Sequence, residues 1–166
     1  MDLQSLYQDI ILDHYKNPRG RGLLDSPLGS AFHVNPTCGD EVTVQVSRDS
    51  TGGLLIGYEG QGCSISQASV SVMYELLGGR TVAEGEEIRR AFVDLMHSQG
   101  KAEPDEELLQ DAVAFVGVAK FPARIKCALL PWMAFQDARI QASLDPDNVQ
   151  VQTTEQENGD VNEHRN

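Results

Sequence analysis

Apolar side chains first recur along this chain at helical spacing. Leu3, Leu6, Tyr7, Ile10 and His14 fall on one face, which predicts an amphipathic helix over 3–15. The stretch KNPRGRG follows, and its Asn-Pro pair and glycines predict the end of that helix. The period then changes to two. Residues 31–35 read as a short strand, Val42, Val44 and Val46 alternate with polar residues, and LLIGYEG at 54–60 is a second apolar run. RDSTGG between those two runs predicts a turn, so 41–60 reads as a hairpin. From Ser64 the helical period returns, with Ile65, Ala68, Val72 and Leu76 on one face and Gly78-Gly79 closing the element. Thr81 followed three residues later by Glu84 is a capping-box signature and opens a helix through about Met96. GKAEPDEE predicts a turn before a helix over about 105–117. FPARIKCALLPWMAFQDARI predicts the last helix, with Pro122 at its start. The order predicts an α+β domain: an N-terminal helix, a small antiparallel sheet of about three strands, then four helices packed on one face.

The apolar pattern stops after Leu144, so 1–144 is expected to form a single domain and 145–166 an acidic, disordered tail. The tail has six acids against one arginine; its net of −5 leaves −7 of the chain's total of −12 on the body. An acidic body excludes a nucleic-acid binder and an anionic membrane surface as partners. No apolar run approaches a bilayer span, and the opening MDLQSLYQDI is acidic and polar rather than a basic-then-apolar leader. The expected location is therefore cytoplasmic, where three widely spaced cysteines stay reduced and serve thiol or metal chemistry. Lys16, Arg19 and Arg21 form a basic cluster that fits either compensation of a helix dipole or a docking patch.

Each cysteine sits at a boundary between predicted elements. Cys38 lies in HVNPTCGDEVTVQV, in a loop entering the hairpin with Asp40 two residues on. Cys63 follows the hairpin in GQGCSIS at the start of a helix, and Cys127 lies in the first turns of the last helix. Cysteine is ordinarily buried as a small hydrophobe, but two of these three stand in glycine-rich loops. A helix N-terminus also favours thiolate. Hairpin and helix ends can gather such points at one edge of a sheet. Three thiolates and one carboxylate would make a four-coordinate set suited to Zn²⁺. Such a set leaves a net −2 that asks for nearby cations, and Arg124, three residues before Cys127 on the same helical face, and Lys126 are candidates. An exposed basic helix turn is the other reading of that pair. His14 completes a helix face, His33 lies in a strand, and His97 and His164 read as solvent positions, so no histidine is a candidate ligand. The spacing alone is weakly specific, because no C-x-x-C pair occurs; a zinc deaminase, which needs one, is set aside.

The wording around the cysteines is more specific. NPTCGDEV, GQGCSISQAS and PARIKCALLPW resemble the three cysteine motifs of the IscU/SufU-type iron–sulfur cluster assembly scaffolds, and the first helix carries their YxxxIxDHYxNPRxxG wording. The likeness covers about 140 residues, from the first helix through the last. Lys126 stands where the common scaffold has a histidine, and the linker between Cys63 and Cys127 is longer by roughly twenty residues within 79–121. Both departures point to the SufU branch of bacteria with a Suf pathway. The resemblance implies a zinc site of Cys38, Asp40, Cys63 and Cys127, with Arg124 compensating its charge. It implies a sulfurtransferase-like carrier that accepts persulfide sulfur from a pyridoxal-phosphate-dependent cysteine desulfurase of SufS type and serves a downstream Suf scaffold complex. A scaffold holding iron or a transient iron–sulfur cluster is the alternative, and a structural zinc domain a third. Cys38 is expected to be the sulfur acceptor. Gly39 gives its loop freedom, whereas Cys63 and Cys127 are anchored to helices.

Overall fold

The computed structural model describes residues 2–146. Helix α1 (Leu3–Lys16) is followed by strands β1 (Gly29–Asn35), β2 (Asp40–Arg48) and β3 (Leu54–Gln61). Next come helices α2 (Ser64–Leu77), α3 (Val82–Met96) and α4 (Glu106–Leu109), a 3₁₀ segment (Gln110–Lys120), and helix α5 (Pro122–Gln141). This is the α+β order expected from the sequence. The capping box forms in full: the Thr81 hydroxyl accepts from the Glu84 amide, and the Glu84 carboxylate accepts from the Thr81 amide.

The sheet is antiparallel in the order β1-β2-β3. Its register aligns Ala31 with Val44 and Val44 with Tyr58, so one face carries Ala31, Val42, Val44, Val46, Ile56 and Tyr58, all buried. Phe32, Val34 and Leu55 stand on the opposite, exposed face. Helix α5 crosses the buried face over β1 and β2, and α2 packs on β3 and α5. Gly29 permits the α5 crossing, since a Cβ there would collide with the Ala138 carbonyl. Helix α3 and the 3₁₀ segment form a layer behind α5: Phe92 stacks on Trp132 with centroids 4.4 Å apart and meets Phe115 edge-on at 5.6 Å.

The helix expected over 105–117 is different in the structure. Asp105 caps a single α-turn, Gln110 then takes a positive φ of 46°, and the chain continues as a 3₁₀ segment. Ala112, Val113, Ala114 and Phe115 are consecutive and all buried, which a one-faced surface helix cannot achieve. The body closes at its C-terminal end through Arg139, which pairs with buried Glu86 of α3 and donates from Nη1 to the Leu144 carbonyl at 3.1 Å. Leu144 is itself buried. From residue 147 onward the expected acidic tail lies outside the described residues. Among the described residues no helix is long and apolar enough to cross a membrane.

Candidate metal centre

The loop between β1 and β2 is closed by the cross-strand pair Asn35 and Asp40. The amides of Cys38 and Gly39 both donate to the Asn35 carbonyl, at 3.2 and 2.9 Å, and Gly39 takes a φ of 72° that glycine adopts without steric cost. This places Cys38 at the exposed tip of the loop and Asp40 at its buried base.

Cys63 caps α2, where its amide N–H donates to Asp40 Oδ1 at 2.8 Å. Its Sγ lies 3.7 Å from Asp40 Oδ2 and 3.8 Å from the Ser66 hydroxyl. Gly62 runs at φ 153°, and a Cβ there would overlap Asp40 Oδ1. Cys127 is buried in the second turn of α5, with its Sγ 3.4 Å from Cys38 Sγ. Asn35 Nδ2 donates toward Cys127 Sγ at 3.7 Å, and the Cys127 thiol donates toward the Ala123 carbonyl at 3.7 Å. Pro131, four residues further along α5, has no N–H to give the Cys127 carbonyl. The Ser69 hydroxyl supports the next turn by donating to the Ala128 carbonyl at 2.6 Å.

The ligand atoms of Cys38, Asp40 and Cys127 all lie within 4.8 Å of one another, and Cys63 adjoins that group through Asp40. Burial pushes the Cys127 thiol well above the ordinary thiol range, and its hydrogen bonds to Asp40 and Cys38 and the neighbouring Cys63 push the same way. Several soft sulfur donors around a buried carboxylate, at the edge of the sheet, fit a thiophilic divalent cation. Such an ion reverses the local charge balance and holds its coordinating thiols deprotonated.

Arg124 is exposed, and its guanidinium stands 5.2 Å from the centroid of the Phe121 ring. Both line an apolar groove of about 710 Å³ against α1, beside Leu3, Tyr7 and Ile65. Lys126 is exposed next to Cys127.

Two features were not read from the sequence. One is the inward-facing side-chain amide of Asn35, a residue read only as the end of the short strand over 31–35. The other is the network around His14, whose Nδ1 meets Ser71 Oγ at 2.8 Å and whose Nε2 meets Asp111 Oδ2 at 2.8 Å. His14, Glu75 and Asp111 are close enough to share an ion. Both ring nitrogens already have partners, however, and Arg19 pairs with Glu75 at 3.6 Å, so the cluster is a tie between α1, α2 and the 3₁₀ segment. His33 pairs with Asp137 at 2.6 Å, His97 caps the end of α3, and His164 lies outside the described residues.

The family described as NifU-like N terminal domain matches residues 6–128. The zinc-dependent sulfurtransferase SufU of Bacillus subtilis is 42% identical over 135 residues, covering 81% of this chain and 90% of that protein. The iron–sulfur cluster assembly scaffold protein IscU of Streptococcus pyogenes is 37% identical over 136 residues, covering 82% and 84%. A solved structure from Fervidobacterium islandicum, a candidate assembly scaffold for the SUF system, superposes with a TM-score of 0.71 at 33% identity, covering 82% of this chain and 98% of that one.

Proposed function

The chain belongs to the family of NifU-like N-terminal domains, and on that premise we propose that it is a zinc-dependent sulfur acceptor working in iron–sulfur cluster assembly. Cys38, Asp40, Cys63 and Cys127 hold the ion, and Cys38 takes sulfur from a cysteine desulfurase of SufS type for delivery to a downstream Suf scaffold complex. The observation that carries this reading is the convergence of three thiols on one buried carboxylate, with Cys38 alone among them exposed. Bound zinc supplies a charge that keeps the thiols as thiolates, the nucleophilic form.

The remaining chemistry is this chain's own. The Cys38 thiolate attacks the outer sulfur of the donor's persulfide, the donor's S–S bond breaks, and its electron pair leaves on the donor cysteine thiolate. The new persulfide sits on Cys38, with no net oxidation or reduction. The loop tip can present this sulfur to a partner because its two backbone hydrogen bonds run to Asn35, at its own base. Asp40 remains behind on the Cys63 amide and keeps the rest of the site assembled. Arg124, one helical turn before Cys127 near the start of α5, offsets part of the excess negative charge of the site.

Purified protein should carry one zinc per chain. After a single turnover with desulfurase and cysteine, mass spectrometry should map the added sulfur to the peptide containing Cys38. Persulfide found mainly on Cys63 or Cys127 would sink the assignment. The IscU relative supports a second reading, a scaffold for a nascent cluster. A coloured, reconstitutable cluster passed intact to an apo-protein would favour it.

A further inference from the structure

Two sulfurs at the centre lie close enough to compete for the same incoming atom, since Cys38 Sγ and Cys127 Sγ are 3.4 Å apart. Their surroundings differ beyond exposure, and Asn35 meets both. Cys127 Sγ receives the side-chain amide of Asn35, whereas the hydrogen bonds that shape the Cys38 loop run to the Asn35 backbone carbonyl. Resting on the sulfur-acceptor reading above, we propose that Asn35 is a positioning residue that keeps Cys127 on the metal and so directs incoming sulfur to Cys38.

The placement of Asn35 follows from its neighbours. Pro36 restricts Asn35 to extended backbone, which keeps it in β1 to the last residue of the strand. Alternation then puts its side chain on the same face as Ala31, toward α5, opposite Asp40 in register. It is 7% exposed, so its amide points into the protein at Cys127 rather than into solvent. A hydrogen bond donated to a thiolate withdraws electron density from sulfur. The sulfur becomes a poorer nucleophile while the ligand is fixed in orientation, the usual effect of a group standing behind a metal ligand. Cys127 is therefore the quiet sulfur and Cys38 the reactive one, and one residue sets the difference from both sides: its carbonyl shapes the loop and its amide holds the fixed ligand.

Because the carbonyl belongs to the backbone, substitution separates the two roles. Asn35→Asp keeps the shape and the loop anchor but removes the donor, and Asn35→Gln returns an amide on a longer stem. In the full-length zinc protein, Asn35→Asp should give up zinc to a chromophoric chelator about 10–100-fold more readily. In the cobalt-substituted form its sulfur-to-metal charge-transfer band should move to longer wavelength. After single turnover its persulfide should divide between Cys38 and Cys127, with Asn35→Gln restoring part of each property. Wild-type protein loaded with ¹¹³Cd offers a measurement that does not depend on variants folding: the Asn35 amide protons should show scalar coupling to cadmium through the N–H···S bond. No coupling would overturn the inference, as would a folded Asn35→Asp variant with an unchanged band and unchanged zinc release. Wild-type protein that takes up neither zinc nor sulfur would overturn the functional reading itself and this inference with it.

Discussion

Asp40 is fully buried, and both its oxygens face Cys63: Oδ1 accepts from the Cys63 amide and Oδ2 lies beside the Cys63 sulfur. Asp40→Ala should strip that amide of its acceptor, at a cost of about 1–3 kcal/mol for a buried donor left unmade. It should also weaken metal binding, and a thermal melt with metal analysis of the same sample checks both effects. Cys127 supplies a pH signature. The metal-free fold holds this thiol above its ordinary value of 9.0, through burial first and the adjacent Asp40, Cys38 and Cys63 next. An unfolded chain releases the proton near the ordinary value, so alkaline pH favours unfolding. This contribution to stability is present below about pH 9 and is lost as pH rises beyond it. The zinc-loaded protein, whose thiolate is already balanced by the ion, should lack this loss. Urea midpoints of the metal-free and zinc forms at pH 7 and pH 10 test the difference, and parallel declines would count against it.

Whole elements meet the site through single residues that cannot be exchanged. Helix α2 begins at Gly62-Cys63, where the backbone runs so close to Asp40 that a β-carbon has no room. Gly62→Ala should displace the carboxylate and its bond to the Cys63 amide, and therefore lower zinc content more than it lowers helicity. Metal analysis alongside circular dichroism distinguishes that outcome from general unfolding. Helix α1 is attached more narrowly. Of its residues only Ile11 and His14 are buried, while Leu3, Leu6, Leu12 and Tyr15 remain exposed. His14→Ala would remove the link between Ser71, which keeps the Arg19 amide, and half-exposed Asp111, and it should cost about 0.5–1.5 kcal/mol per hydrogen bond lost. The accompanying loss of amide-exchange protection should be concentrated in α1. Uniform loss across the sheet would show instead that α1 unfolds only with the whole domain.

At the scale of the molecule, α5 is the spine. It supplies Cys127, crosses β1 and β2, and carries Trp132 against Phe92, so the long segment between Cys63 and Cys127 is anchored to the helix that holds a candidate ligand. Leu144 and its bond from Arg139 close this packing. A chain shortened to residues 1–146 should keep the full-length zinc content, melting temperature and sulfur acceptance from a desulfurase; a large loss of sulfur acceptance alone would identify the removed residues as a docking segment. Most elements were readable from pattern, because a helix face, a strand alternation, a capping box and a helix-initiating proline are each set by residues within a few positions of one another. The cysteine motifs were readable for the same reason: the Cys38–Gly39–Asp40 turn and the Cys63 helix start are local. The 3₁₀ segment was not, since its geometry answers to burial on several sides at once. Nor were the contacts that join the motifs. Cys38 and Cys127 are 89 residues apart in sequence, and Asn35 and Cys127 are 92. No periodicity encodes such a meeting; it depends on how α5 lies across the sheet. The types of candidate ligand and their local turns follow from the order of residues. Which sulfur is exposed, which is buried, and which amide stands behind it follow from packing, because burial belongs to the assembled layers and to no segment alone.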